Sequence, residues 1–295
     1  MAAPGVLLVD KPGGMTSHDV VARARRALGT RKIGHAGTLD PMATGLLVLG
    51  VEGATRLLTF IVGLDKTYLA TIRLGVSTDT DDADGTPTGG ADASSLTASE
   101  ILDAIVPLTG LISQVPSTYS AIKVDGRRAY DLARAGEQVE LKAREVTVSR
   151  FHVAEERRDA GTIDLDVVVD CSSGTYIRSL ARDLGRTLGV GGHLTALRRT
   201  RIGPFDVSHA HAADELAEAP LLTPAEAATT VLGRLDVTLD EARDLRHGKR
   251  LAGAATRLPT NPTAAVDPDG ALVGIVGKRG DDVKSIMNMP PEAAP

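Results

Sequence analysis

The 295-residue sequence has few of the residues from which several common kinds of site are built. Its one cysteine, Cys171, excludes an intrachain disulfide and a metal site made of cysteines. It has no tryptophan, four tyrosines and three phenylalanines, so a broad aromatic platform for single-stranded nucleic acid is not expected. No segment has the length and hydrophobicity of a membrane span or the pattern of a signal peptide. We therefore expect a cytoplasmic protein.

An excess of positive charge is also missing. The formal net charge of −5 at pH 7 argues against a nonspecific polyanion binder. It leaves RNA open as a partner, because local basic faces determine where RNA is contacted. The glycine patterns of nucleotide-binding loops and the spacings of Cys/His metal ligands do not occur, so we expect no cofactor and no metal. The length allows one large domain or two unequal domains with a sizeable core.

The most informative stretch is the loop at residues 34–45, which reads GHAGTLDPMATG. Its glycines let the backbone and a substrate approach each other closely. Pro41 pushes Asp40 out of the helical region, which fixes a turn. The loop therefore presents a carboxylate, Asp40, and an imidazole, His35, before the apolar strand that begins at Leu46. A loop of this composition can also be only a connection between two elements.

This loop resembles the signature of the TruB family, the pseudouridine synthases of the bacterial tRNA uridine-55 class. Further blocks of the family follow in the expected order: KTY at 66–68, PSTYSAIK from 116, and TYIRSLARDLG at 175–185. The resemblance spans about residues 6–205. It implies a catalytic domain at 1–232, with a basic RNA-binding insertion at about 114–148. A small β-rich, PUA-like RNA-binding domain at 233–295 would follow.

The resemblance also implies roles for particular side chains. The implied catalytic residues are Asp40, Tyr68 and Arg178, and the implied substrate-binding residues are His35, Tyr68, Tyr176 and Leu197. Arg178 would pair with Asp40, and a guanidinium can hold a carboxylate ionised through two hydrogen bonds. Tyr68 and Leu197 would pack on a base that has left its stack. His35 would fill the vacated space, or else make a structural hydrogen bond within the loop.

Three segments are rich in cations. The cations are Arg23, Arg25, Arg26, Arg31 and Lys32; Lys123, Arg127, Arg128, Arg134, Lys142 and Arg144; and Arg198, Arg199 and Arg201. The first two segments are either solvated faces or contacts to RNA, and the three arginines of the last segment are candidate contacts to RNA phosphates. By contrast, four aspartates fall between Asp79 and Asp84, at the start of a segment to about 95 that is typical of a mobile acidic loop. It lacks the downstream glutamate of a calcium loop.

Strands alternate with helices along the chain, which predicts an α/β fold. The family resemblance implies a pseudouridine synthase fold with a central mixed, largely antiparallel sheet flanked by helices. Residues 162–171 alternate between apolar and acidic, which predicts a strand with one wet face. We predict helices at about 54–62, 213–218 and 223–231. A disordered tail is expected at 290–295.

The resulting hypothesis is a tRNA pseudouridine(55) synthase. It would act as a monomer on the T arm of tRNA, without a membrane, metal or cofactor. Asp40 would attack C1′ of the ribose, add to C6 of the base, or assist glycal formation by removing a proton; the sequence does not choose among these. An alternative is a noncatalytic protein that binds or folds tRNA. A hydrolase with an aspartate nucleophile would need a water-activating base or a metal near Asp40, and none is evident.

Overall fold

The computed structural model describes residues 2–117, 123–124, 127–128 and 141–290. Most of the predicted basic insertion, including Arg134, and most of the predicted disordered tail lie outside these residues. Within the described ranges, no helix is long and apolar enough to cross a membrane. The chain divides into two compact units, of residues 1–40, 45–62 and 203–295 in the first and 41–44 and 63–202 in the second.

The described strands and helices follow one another in a mixed α/β order. The strands are β1 (Gly5–Lys11), β2 (Ile33–Ala36), β3 (Thr44–Val51), β4 (Lys66–Leu74), β5 (Ser77–Thr78), β6 (Pro87–Gly89), β7 (Gly110–Gln114), β8 (Lys123–Val124), β9 (Arg127–Arg128), β10 (Arg144–Asp159), β11 (Thr162–Cys171), β12 (Gly192–Ile202), β13 (Phe205–Asp206), β14 (His211–Ala212), β15 (Arg234–Asp236), β16 (Thr263–Val266), β17 (Leu272–Arg279) and β18 (Asp282–Asn288). The helices are α1 (Ser17–Ala27), α2 (Leu58–Ile61), α3 (Ala98–Ile105), α4 (Ile177–Thr187), α5 (Pro224–Leu232) and α6 (Leu239–Arg246).

In the first unit, the apolar strand β1 pairs antiparallel with β3 and parallel with the short β14. Strand β2 adds to the other side of β3. Helix α1 begins at a capping box, in which the Thr16 hydroxyl accepts from the Asp19 N–H and the Asp19 carboxylate accepts from the Thr16 N–H. Its apolar residues pack in a fully buried cluster with strands β1 and β3. This cluster holds α1 and the strands around the 34–45 loop in one core.

The C-terminal part of the first unit forms a second sheet in the order β15–β16–β17–β18. Only the β15–β16 pair is parallel. Helix α6 begins with a Thr238–Glu241 capping box and packs in a separate apolar cluster with this sheet. The predicted β-rich C-terminal part is therefore confirmed, whereas its domain boundary at 233 stays a prediction.

In the second unit, five strands form an antiparallel sheet in the order β12–β4–β11–β10–β7. Strand β11 covers the predicted residues, and its side chains alternate between buried and partly exposed. The predicted mixed, largely antiparallel α/β fold is confirmed. Helix α4 follows the turn after β11, with Tyr176 at its N-cap.

Two helix predictions were wrong in detail. Residues 213–218 form turns, although Ala213 and Leu216 are buried in the same core as α1. The predicted helix at 54–62 is a 3₁₀ helix at Glu52–Leu57 followed by the single turn α2. Ala213 and Leu216 in one segment and Ala54, Leu57 and Ile61 in the other are buried, although neither segment forms a long α-helix.

Candidate active site

The loop that carries Asp40 leaves strand β2 and returns in strand β3. In the β2–β3 pair, His35 lies opposite Leu49 and Ala36 lies opposite Val48. Gly37 follows at φ +89°, a conformation that favours glycine and turns the chain out of the sheet. Asp40 is half-buried between two buried side chains, Leu39 and Ala43. The carboxylate is therefore carried by a loop that is anchored on both sides.

Ser17, the first residue of α1, holds the loop directly. Its hydroxyl accepts a hydrogen bond from the Leu39 N–H at 2.9 Å and donates one to the Leu39 carbonyl at 3.2 Å. Ser17 is 1% exposed, so water does not compete for these bonds. Before the helix, the buried Lys11 ammonium donates to the carbonyls of Pro12 at 2.9 Å and Met15 at 2.6 Å. The turn into α1 and the residue before Asp40 are thus fixed by side chains.

His35 is half-buried at the entry to the loop. Its ring meets the ring of His18 edge to face, with centroids 5.5 Å apart and planes at 83°. Both rings belong to the first unit, and His18 follows Ser17 in α1. His35 and Asp40 are therefore presented by one strand end and its loop, as the sequence predicted.

Tyr68 and Leu197 lie on one face of the sheet in the second unit. In the registers of strand β4 with β12, Leu197 is opposite Ala70 and Arg199 is opposite Tyr68. Directly opposed residues of an antiparallel pair point to the same face, and so do residues two apart on one strand. Tyr68 is 8% and Leu197 7% exposed. The structure thus brings together the two residues for which the resemblance implied contact with the base.

Two buried cations share this face, and the sequence interpretation missed their position. Arg199 is 1% exposed, and Lys66, two residues before Tyr68, is 5% exposed. The Lys66 ammonium donates to the Leu64 carbonyl at 2.6 Å. Burial and the nearby positive charge of Arg199 lower the pKa of Lys66 to about 8. Arg199 is therefore not the surface residue that a role as an exposed phosphate contact requires.

Arg178 is buried in the first turn of α4 and touches the acidic loop. Its guanidinium donates to the Thr80 carbonyl at 2.8 Å and to the Ser117 hydroxyl at 3.3 Å. It also forms an ion pair with Asp82 at 3.3 Å, in which the two side chains are 4% and 7% exposed. The acidic loop therefore supplies a buried partner to Arg178. This contact was not predicted from the sequence.

A second arginine of α4 also meets the acidic loop. Arg182 lies 3.4 Å from Asp81 and 3.0 Å from Asp183, and donates to the Val115 carbonyl at 2.7 Å. Burial raises the pKa of Asp81, and the charge of Arg182 opposes that shift. Asp81 and Asp82 therefore belong to the contacts of α4, in contrast to the solvated loop that the sequence suggested. Among the described residues, no group of three or more His, Cys, Asp and Glu fits a metal ion.

Tyr176 is fixed through its backbone. Its N–H donates to the Gln114 side-chain oxygen at 2.8 Å, and its carbonyl accepts from the Gln114 side-chain amide at 3.1 Å. Gln114 is 2% exposed and ends strand β7. This pair of bonds joins β7 to the start of α4. Tyr176 and Arg178 are thereby held in one well-defined turn.

Several arginines of the sheet are engaged by carboxylates or hydroxyls on its polar face. Arg201 donates to the Thr67 hydroxyl at 2.9 Å and lies 3.6 Å from Asp170. Arg73 binds Asp164 through two hydrogen bonds at 2.7 and 2.6 Å. Both arginines therefore already have an anionic neighbour within the protein.

Each of the two units carries its own set of functional groups. The first presents a half-buried carboxylate on an anchored loop. The second presents a buried tyrosine, an apolar side chain and two buried cations on one sheet face. The groups of the second unit by themselves suit a planar substrate that carries negative charge, since cations favour the anion and apolar side chains cover a ring.

Family models cover nearly the whole chain. The model described as "TruB family pseudouridylate synthase (N terminal domain)" matches residues 25–177. The model described as "tRNA pseudouridylate synthase B C-terminal domain" matches residues 178–242, and the model "tRNA Pseudouridine synthase II, C terminal" matches residues 232–290.

Curated relatives agree with these models. The chain is 58% identical over 295 residues to tRNA pseudouridine synthase B of Leifsonia xyli subsp. xyli (strain CTCB07), covering 98% of each chain. It is 53% identical over 290 residues to tRNA pseudouridine synthase B of Mycobacterium ulcerans (strain Agy99), covering 98% of this chain and 95% of that one.

Solved structures show the same fold. A chain of an H/ACA RNP bound to a substrate RNA containing 2′-deoxyuridine is 24% identical with a TM-score of 0.70, over 97% of this chain and 85% of that one. A chain of a Cbf5-Nop10-Gar1 complex is 24% identical with a TM-score of 0.68, over 98% and 84% of the two chains. At this identity the likeness concerns the fold alone.

Proposed function

The chain belongs to the TruB family of pseudouridine synthases and isomerises uridine in tRNA, and on this premise we propose that it acts on uridine 55 in the T loop with Asp40 as the catalytic carboxylate. The observation that carries the proposal is the position of Asp40. Asp40 is half-buried, and the residue before it, Leu39, is held by two hydrogen bonds to the buried Ser17 hydroxyl. A catalytic group needs this kind of rigid support.

The reaction exchanges one bond of the base for another. The bond between N1 and C1′ breaks, the base rotates, a bond forms between C5 and C1′, and the C5 proton is lost while N1 gains one. Nothing is oxidised or reduced, and the product is an isomer of the substrate. Asp40 would attack C1′, add to C6, or remove a proton on the route through a glycal. All three routes need the carboxylate in its ionised form.

The base must leave its stack before Asp40 can reach the reacting atoms. We propose that Tyr68 and Leu197 receive it, because they share a buried sheet face and offer an aromatic ring and an apolar side chain. The phenolic oxygen of Tyr68 is our candidate acceptor of the C5 proton, a step in which it must act as the phenolate. In this proposal Tyr176 contacts the uracil base, and His35 occupies the space that the base vacates.

We propose Arg178 as the partner of Asp40. A guanidinium that keeps this carboxylate ionised raises the concentration of the reactive form. The hydrogen bonds of Arg178 to the Thr80 carbonyl and the Ser117 hydroxyl, and its ion pair with Asp82, limit its motion. Arg178→Ala is expected to lower turnover by orders of magnitude, whereas unchanged activity would rule the pairing out.

Tritium release tests the role of Asp40. tRNA carrying 5-tritiated uridine is incubated with the wild type, with Asp40→Asn, and with the control Asp103→Asn on the exposed side of α3. We expect release by the wild type and the control, and none by Asp40→Asn with tRNA affinity retained. Full release by Asp40→Asn would overturn the assignment of the carboxylate.

The target position is tested with a tRNA in which uridine 55 is replaced by cytidine. The proposal predicts that release from this transcript falls to background, because no other uridine is presented to the loop. Release that persists would point to another uridine. A folded wild type that binds tRNA and releases no tritium would favour the alternative hypothesis of a noncatalytic tRNA-binding protein.

A further inference from the structure

A concave basic surface lies at the far end of α1 from Ser17. It is lined by Arg25, Arg26, Gly29, Thr30 and Arg31, and we call it the α1 groove. Gly29 ends the helix at φ +63°, and the Thr30 N–H donates to the Arg25 carbonyl at 3.2 Å. This is the Schellman ending of a helix, which reverses the chain. The reversal places Arg31 beside the two arginines of the last helical turn.

The charge of the α1 groove is not balanced by neighbouring acids. Among the residues that the structure describes, Arg25, Arg26 and Arg31 make no ion pair with a carboxylate. Glu52 is engaged by the Thr30 hydroxyl and lies 3.8 Å from Lys32. Arg25 donates to the Ile33 carbonyl at 3.0 Å, which ties it to strand β2. Arg26 and Arg31 are exposed.

A simpler explanation accounts for part of this cluster. Cations in the last turn of a helix are stabilised by the helix dipole, and this applies to Arg25 and Arg26. It does not apply to Arg31 or Lys32, which lie beyond the helix. The dipole also gives no reason for a concave arrangement around a glycine and a threonine. The cluster therefore exceeds what helix stability requires in a chain of net charge −5.

Guanidinium groups around a shallow concavity fit the oxygens of phosphate groups. Arginine binds phosphate through several N–H groups in a fixed plane, and its charge persists at any pH at which the protein is folded. An RNA backbone offers such groups in a row, and the first unit already carries Asp40. The surface therefore fits the backbone of the tRNA substrate better than a single small anion.

Two rigid elements connect the α1 groove to the catalytic loop. Helix α1 has 11 residues, which spans about 16 Å, and its first residue, Ser17, bonds Leu39 next to Asp40. Strand β2 has four residues, about 13 Å, and runs from the turn after Lys32 into the same loop. A phosphate in the groove would therefore be held at a fixed distance from the residue beside Asp40.

We propose that the α1 groove binds backbone phosphates of the tRNA substrate and fixes their distance from Asp40. This inference rests on the proposed function, because it assigns the contacted RNA to the substrate of that site. Arg26 and Arg31 are its binding residues. Arg25 supports β2 through the Ile33 carbonyl and is left unchanged in the tests.

The first test is the salt dependence of tRNA binding. Dissociation constants are measured over a range of salt concentrations for the wild type, Arg26→Gln and Arg31→Gln. We expect each variant to bind severalfold more weakly, with a log–log slope that is smaller by about 1. KM for tRNA should rise with kcat at saturating tRNA unchanged, because the substitutions leave Asp40 and Tyr68 in place. An unfolding temperature equal to that of the wild type would show that each variant is correctly folded.

Arg186→Gln is the matched control. Arg186 lies in the last turn of α4, which has the same length as α1, and its side chain is 76% exposed. It already pairs with Asp183 at 3.1 Å. The substitution removes the same charge, and we expect no change in the slope. Equal effects of all three substitutions would show a general charge effect and would overturn the proposal that the α1 groove binds phosphates.

The second test locates the contact on the RNA. Single neutral methylphosphonates are placed one at a time along the T arm, and binding is measured with the wild type and Arg31→Gln. At the contacted phosphate, the modification should weaken binding to the wild type and have no further effect on the variant. Independent effects at every position would overturn the inference. If the wild type released tritium normally in that case, the proposed function would stand.

Discussion

At Ser17, one hydroxyl forms two hydrogen bonds to the backbone of the residue that precedes Asp40. Ser17→Ala leaves the Leu39 N–H and carbonyl buried without these partners, which costs about 1–3 kcal/mol of unfolding free energy. We expect turnover to fall by a factor of about 10 or more, because the loop then holds Asp40 less well. Tritium release and urea unfolding measure the two effects.

Ser149→Ala is the comparison for this prediction. The Ser149 hydroxyl also bonds a backbone carbonyl, that of Asp170 at 3.1 Å, but it is exposed on strand β10. Its loss should leave both turnover and stability near the wild-type values. If Ser17→Ala and Ser149→Ala behaved alike, the support of Asp40 by Ser17 would be disproved.

Lys66 predicts a pH dependence of stability. Its pKa is lowered to about 8 from 10.5 by burial and by Arg199. Below pH 8 both states hold the proton, and the folded state bears the full cost of the buried charge. Between pH 8 and 10.5 the folded state has released the proton that the unfolded chain still binds, so rising pH stabilises the fold. Across this pH window the free energy of unfolding rises by up to about 3 kcal/mol.

The measurement compares wild type with Lys66→Met by urea unfolding across this pH window. The variant lacks the ionisable group, so the difference between the two curves isolates Lys66 from other titrating residues. The wild type should gain stability relative to Lys66→Met as the pH rises. Parallel curves would show that the ammonium is not buried as a charge.

Individual residues of the candidate site differed in how well the sequence could place them. Tyr68 lies on a strand whose alternation is visible in the sequence, and its partner Leu197 was placed by resemblance. Arg199 was misread as a surface residue, because its direction depends on the register of β12 against β4. The bond of Ser17 to Leu39 joins residues 22 positions apart and has no local sequence signal.

At the scale of elements, the acidic loop and α4 form one connected structure through Arg178 and Asp82. Asp82→Asn keeps the side-chain volume and removes the charge that faces the buried guanidinium. We expect a loss of about 1–3 kcal/mol of unfolding free energy, as for other hydrogen bonds to charged groups. Turnover should also fall, because Arg178 loses a partner that orients it.

Asp84→Asn serves as the control in the same loop. Its side chain is exposed, and its N–H bond to Asp82 is made by the backbone, which the substitution does not alter. Tritium release and thermal unfolding of this variant should match the wild type. A loop that is only a solvated connection would respond equally little to both substitutions.

Elements with a strong local signal were predicted well. Strand β11 alternates in the sequence, and α5, which was predicted at about 223–231, begins with a threonine capping box. Strand β12 was not recognised, because it opens on a glycine and carries three arginines and a histidine among its 11 residues. Two register shifts against β4 further disturb its alternation. Such a strand is specified by its neighbours more than by its own sequence.

For the whole molecule, the net charge of −5 is a poor guide to RNA affinity. Many carboxylates are engaged internally, as Asp164 is with Arg73, while the α1 groove stays cationic. We predict that tRNA affinity of the full chain falls steeply with salt despite the acidic balance. Fluorescence anisotropy with labelled tRNA measures it, and a flat salt response would mean that the basic faces are only solvated.

The single thiol has a practical consequence. Cys171 is 1% exposed, and burial raises its pKa to about 11, so almost none of it is the reactive thiolate near neutral pH. Maleimide dyes should therefore leave the wild-type chain unlabelled. A cysteine placed at an exposed position such as Arg279 would then accept one dye at one known place. The chain is already suited to single-molecule fluorescence without prior removal of its own cysteine.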